Sequence, residues 1–107
     1  MTRIRCPKLI EATKKRKEAL IRAIRNRQVW AFDTRYVDLC GAELSGCNLD
    51  GLDFSYSYLI SANLSNCSVV GTKFEGSWLH GVLWGNTNIH QNKSLMENET
   101  FMRPVYR

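Results

Sequence analysis

His80, His90, four cysteines and ten acids are the side chains in this sequence able to carry acid–base, thiol or metal chemistry. A working site needs such groups to converge, with a base in hydrogen-bond reach of its proton or several ligands on one ion. No P-loop, dinucleotide fingerprint or nucleophile elbow is present. Whether the scattered groups meet is therefore decided by the repeat that carries most of them.

From Val37 to Gln91 a large apolar residue falls at every fifth position: Leu39, Leu44, Leu49, Phe54, Leu59, Leu64, Val69, Phe74, Leu79, Trp84 and Ile89. Two residues before each comes a mostly small residue, and six of the seven glycines fall two residues after. A helix places core residues three or four apart and a strand two apart, so a strict five holds one face of neither. The pattern implies a turn-based coil. The large residue and the small one before it point inward, and Gly, or Asn66 and Asn86 in its place, makes the corner. With four five-residue sides per coil a second period of twenty is expected, and like does fall on like at that spacing: Leu39, Leu59 and Leu79; Phe54 and Phe74; Ala42 and Ala62; Cys47 and Cys67. We number the sides in order from Val37, so that 37–41, 57–61 and 77–81 make side one.

Ala62-Asn63-Leu64-Ser65-Asn66 matches the motif A(D/N)LXX outright, and Ala42-Glu43-Leu44-Ser45-Gly46 and Cys47-Asn48-Leu49-Asp50-Gly51 come close. On these residues the chain resembles the pentapeptide-repeat family over 37–91. The resemblance implies an all-β solenoid, here a short right-handed quadrilateral β-helix of about three coils. It also implies functions that range from duplex-DNA mimics binding type II topoisomerases to bacterial effectors.

Sorted onto sides, the reactive groups do not converge. His80 and His90 belong to sides one and three, which face opposite ways. Cys40 and His80 share side one but lie two coils apart, about 10 Å by strand spacing and too far to share an ion. Asp38, Glu43, Asp50 and Asp53 occupy outward positions on successive sides. The expectation is no enzyme, no catalytic residue, no metal and no cofactor. Cys47 and Cys67 read as small buried thiols whose spacing would admit a disulfide that a reducing cytoplasm disfavours. The N-terminus lacks the apolar core of a secretory signal and no stretch suggests a membrane span, so a cytoplasmic protein is expected. On that footing the Asn-X-Ser/Thr triplets at Asn63, Asn66, Asn92 and Asn98 read as accidents of a polar repeat.

Charge divides the chain in three. Residues 1–36 carry eleven Lys or Arg against three acids, while 37–91 carry five acids and only Lys73. Residues 1–36 read as a basic N-terminal helix and cap, helical from Lys8 to about Arg27, with Ile10, Thr13, Lys17, Leu20, Ile21 and Ile24 on an apolar stripe. That stripe is expected to dock over the open first coil, since a repeat coil needs its ends covered, and Val29, Trp30, Phe32 and Tyr36 would join the cap. The polar face presents Lys14, Lys15, Arg16, Arg22, Arg25 and Arg27; such a face is usually just solvated, and otherwise suits phosphate in nucleic acid or an acidic protein surface. It lacks the bulky apolar residues of a membrane-surface helix. Residues 92–107, with Leu95, Met96, Phe101, Met102, Val105 and Tyr106, read as a C-terminal cap or as a homodimerisation tail.

One outward surface breaks the polar rule. Tyr58 and Trp78 are twenty apart on side one, as are Ile60 and His80, and Tyr56 stands at the preceding corner. Stacked in adjacent coils they would form an aromatic ladder suited to a protein partner, unless a flank covers it. The expected function is a non-enzymatic binding protein, an inhibitor or adaptor of bacterial or phage origin that occludes a larger protein. The alternatives are nucleic-acid binding through the arm and a DNA mimic directed at gyrase, against which stand the short coil and the basic arm.

Overall fold

The computed structural model describes residues 7–30 and 32–102, and it describes side chains from Lys14 onward up to Phe101. Parallel β-bridges join Asp38 to Tyr58, Glu43 to Asn63, Asn48 to Ser68 and Asp53 to Lys73, then Tyr58 to Trp78 and Asn63 to Leu83. Every bridge spans twenty residues, so the chain returns on itself once in every four five-residue sides. Among the described residues there is no continuous strand, and this departs from the all-β expectation. The reason is local: each side contributes one bridged residue before the chain turns, too few in succession for a strand.

The inward positions form the core. Leu39, Leu44, Leu49, Leu59, Leu64 and Phe74 are fully buried, and Phe54 stacks on Phe74 with ring centroids 5.9 Å apart. Packing of this kind is the main source of stability in a coil with so few bridges. Cys47 and Cys67 are buried free thiols, and Cys40 is free as well. Burial pushes the Cys47 and Cys67 thiols up from their ordinary value, which keeps them protonated and unreactive.

Corner geometry departs from the simple rule. Tyr36, Tyr56 and Ser61 adopt positive φ without being glycine or asparagine, while Asn66 takes its corner as expected. At the last corner of side two the left-handed residue is Gly85 (φ +50) and not Asn86, one position early. A Cβ on Gly85 would fall 2.8 Å from Cβ of Ser65, so glycine is needed there. Beyond this slip side three loses its bridge in the third coil. The Thr87 hydroxyl stands in, accepting from Cys67 N–H at 2.8 Å and donating to Leu64 O at 2.5 Å.

Three helices flank the coil: α1 (Pro7–Arg25), α2 (Lys93–Met96) and α3 (Glu99–Met102). α1 lies across the first coil with Leu20 and Ile24 buried and Ile21 packed beside them. Ile10 and Thr13 of the expected stripe lie outside the described side chains. Val29 and Phe32 join the cap, but Trp30, at 80% exposed, and Tyr36 do not. Leu20, Ile24, Val29 and Phe32 already supply the apolar cover, and Trp30 stands free of it. Lys17 contributes its ammonium instead of only its stem, donating to Cys40 O at 2.5 Å and lying 3.8 Å from Asp38.

Residues 92–102 replace the missing next coil over sides four and one. Asn92, buried, donates to Val69 O (2.7 Å) and Thr72 O (2.9 Å), and Asn98, buried, donates to Phe74 O (2.7 Å) and Ser77 O (2.9 Å). Ser94 and Thr100 hydroxyls accept from Phe74 N–H (3.0 Å) and Leu79 N–H (2.9 Å), donors that a further coil would have satisfied. The Asn98-Glu99-Thr100 and Asn92-Lys93-Ser94 triplets are thus matched capping devices and not accidents of composition. Met102 and residues 103–107, with the expected Val105 and Tyr106, lie outside the described side chains.

Candidate partner-binding face

Side one carries the ladder. Parallel pairing sets Tyr58 directly over Trp78: Leu59 N–H donates to Trp78 O and Trp78 N–H to Ser57 O, both at 2.9 Å. Identical register in adjacent coils forces the two side chains onto the same outward column. Their rings meet edge to face with centroids 5.2 Å apart and planes at 79°. They remain 47% and 48% exposed. His80 lies edge-on to Trp78 at 6.2 Å, and Ile60 and His80 are half-buried beside the column. In the first coil the column continues as Asp38, whose carboxylate is held below its usual range by the Cys40 backbone N–H against the opposing effect of burial.

The corner before side one adds a second pair. Tyr36 and Tyr56 stack with centroids 5.3 Å apart and planes only 16° apart. The Tyr56 ring lies over Gly76, where a Cβ would meet its Cδ1 and Cε1 at 2.5 Å. Tyr36, Tyr56 and Gly76 share φ values of +57°, +59° and +66°, a conformation that costs a residue with a Cβ about 1–2 kcal/mol. Tyr36 thus belongs to the aromatic face; its position twenty residues before Tyr56 was the available signal. Tyr36, Tyr56, Tyr58 and Trp78 are all exposed.

The basic arm divides. Lys14, Lys15, Arg16 and Arg22 are exposed along α1. Arg25 donates to Glu43 O at 3.1 Å, and Arg27 donates to Asn48 O and Asp50 O at 3.1 Å each, so both hold the end of the arm to sides two and three. The remaining charges bracket the aromatic face. A groove of about 380 Å³ at its arm end is lined by Arg16, Leu20, Phe32, Asp33, Arg35, Tyr36 and Val37, with Asp33 paired to Arg35. One of about 320 Å³ at its tail end is lined by Gly76, Ser77, Trp78, Glu97, Asn98, Glu99 and Thr100.

Among the described residues no three His, Cys, Asp or Glu side chains gather to hold a metal ion, and no helix is long and apolar enough to cross a membrane. Residues 35–69 match the family model for pentapeptide repeats, in 8 copies. The bridges at Trp78 and Leu83 carry the same architecture beyond the matched span. No curated protein matches the chain.

Proposed function

For a chain that carries pentapeptide repeats, we propose a non-enzymatic protein-binding module: a short right-handed quadrilateral β-helix that presents side one to a larger protein and occludes part of it, as an inhibitor or adaptor. Such repeats generally serve as non-enzymatic interaction modules. The observation that supports the reading is the Tyr58–Trp78 column, half exposed on a backbone fixed by the coil. A rigid aromatic pair loses little conformational freedom on binding, and Trp and Tyr are enriched among residues that dominate interface energy. The unpaired cysteines fit a reducing compartment such as the cytoplasm of a bacterium, or of a phage-infected one.

The test is affinity capture with the wild-type chain and with Trp78→Ala plus Tyr58→Ala. Loss of specific partners from the double variant is the expected result, and equal recovery removes side one as the binding face. Exposed Lys14, Lys15, Arg16 and Arg22 favour nucleic acid as the second reading. Salt-dependent binding to a labelled duplex or RNA, lost when Lys14, Lys15, Arg16 and Arg22 become Glu, would support that reading. The DNA-mimic reading has less support, since a DNA mimic needs an acidic lateral surface and side one is aromatic. A light-scattering mass tests whether the C-terminal end also pairs two copies.

A further inference from the structure

We propose that the groove at the tail end of side one is a receptor for an arginine side chain of the partner protein. The inference rests on side one facing that partner, and it names the chemistry the partner brings. The groove has one aromatic wall, Trp78, and two exposed carboxylates, Glu97 and Glu99, with Asn98 between them in sequence and Thr100, Gly76 and Ser77 completing the lining. Among the described residues neither Glu97 nor Glu99 makes an ion pair, whereas Asp38 and Asp33 at the opposite end of the face lie beside Lys17 and Arg35. The ion pairs shown on this face thus lie at its arm end, while among the described residues the acids at its tail end have no ion-pair partner, not even Lys93 one helical turn before Glu97. Tyr58 meets the Trp78 ring edge to face, and about half of the Trp78 surface stays open.

An occupant must satisfy two carboxylates and lie against an indole. A guanidinium does both: its planar fork matches carboxylate oxygens, and its face stacks on an aromatic ring. A lysine ammonium offers a point charge without the stacking plane, and an acidic side chain is repelled. The positions are fixed from within the fold. Asn98, which separates the two acids in sequence, is anchored to Phe74 O and Ser77 O, and Trp78 is fixed by its bridge to Tyr58.

The experiment is a titration of the isotope-labelled full chain with N-acetyl-arginine amide, following the Trp78 indole N–H resonance, assigned by Trp78→Phe. A saturable displacement in the millimolar range is expected, with lysine amide weaker and glutamine amide inert. Glu97→Gln with Glu99→Gln, both at exposed positions, should weaken arginine binding at least about tenfold while leaving the core resonances in place. No saturable displacement, an equal response to glutamine amide, or unchanged affinity in the Gln variant overturns the proposal. Binding that emerges only after Arg103→Gln and Arg107→Gln would assign the groove to the chain's own end, which also overturns it. A chain that loses its partners with Trp78→Ala and Tyr58→Ala yet ignores arginine amide would retain side one as the face and remove only this groove's assignment.

Discussion

Replacing Asn98 by Ala should unfold the C-terminal cap before the coil. The Asn98 carboxamide donates to Phe74 O and Ser77 O and accepts from Thr100 N–H at 2.8 Å, Phe101 N–H at 3.0 Å and the Thr100 hydroxyl at 2.6 Å. After truncation Phe74 O keeps Ser77 N–H and the Ser77 hydroxyl, and the single Thr100 hydroxyl proton, no longer shared with Asn98, can serve Ser77 O at 3.1 Å, so the donor side loses only part of its bonding. The amides of Thr100 and Phe101 are left without their acceptor at the start of α3, a loss typical of an N-cap and worth about 1 kcal/mol. Two weakened carbonyls and a polar void at a buried position bring the expected total to about 2–4 kcal/mol. Asn98→Asp separates the two halves, because it keeps the acceptors and removes both donors. Urea unfolding followed by fluorescence of Trp84, whose ring meets Phe101 at 5.5 Å, measures the effect. The control is Asn88→Ala, at an exposed position, expected within about 0.5 kcal/mol of wild type. If Asn98→Ala matches that control, the tail is not docked as a cap and the reasoning fails.

Gly76→Ala should cost about 1–3 kcal/mol, since the new methyl meets the Tyr56 ring at 2.5 Å on a left-handed backbone; Tyr56→Ala in the same chain should recover part of the loss, leaving the backbone strain, and a double-mutant cycle by thermal unfolding measures the coupling. Arg25→Ala with Arg27→Ala should speed amide hydrogen exchange in the last turn of α1 and leave the coil amides unchanged, because these donors join the arm to Glu43, Asn48 and Asp50 carbonyls alone. Acid should loosen the first coil from the second. Asp50 is held below its usual range by the Ser68 hydroxyl and then the Val70 N–H, and Glu43 by the Ser45 hydroxyl and then Asn63. Folded-state pKa values below the unfolded ones mean a contribution present above the ordinary carboxylate range and lost as pH falls through and beneath it. Asp50→Asn should flatten that acid limb in a stability-versus-pH series.

The coil was legible because its signal is redundant. Eleven apolar beats and their recurrence at twenty assign Leu39, Leu59 and Leu79 to one interior column, and the bridges fall at that spacing. Outward placement of Tyr58 and Trp78 followed from the same count. The corners were less legible, since φ there depends on neighbours: Tyr56 turns left-handed with its ring over Gly76, and Gly85 takes the role the count gives to Asn86. The caps were least legible. Asn92 and Asn98 look like any polar residue in a repeat rich in Asn, and only the carbonyls left open by the missing coil give them a purpose. Their signal was the pairing of Asn with a hydroxyl two residues on, twice, just where the beat stops.

The two ends are closed by different chemistry, and this bears on which surface is free. At the arm end the apolar face of α1 covers the coil, with Lys17 reaching side one, Arg25 side two and Arg27 side three. At the tail end short helices cover sides four and one through carboxamides and hydroxyls. Much of both ends is thereby covered by the chain itself, which favours a lateral contact with a larger partner. Sides two and three carry the arginine anchors and the Glu43–Asn63 and Asp50–Ser68 links between coils, with Val70 and Leu83 as isolated exposed apolar residues. Among the described residues, side one and its corner combine four exposed rings with a groove at each end, one holding Arg16 and the Asp33–Arg35 pair and the other Glu97 and Glu99. Scattered apolar residues are normal on any surface, whereas contiguous aromatic ones are not. Arg16 by the arm and Glu97 by the tail would also fix the direction in which a partner segment lies. Exchanging Arg16 for Glu and Glu97 for Lys in one chain should therefore weaken capture more than either change by its own effect predicts, and simple addition of the two effects would show that the ends act independently.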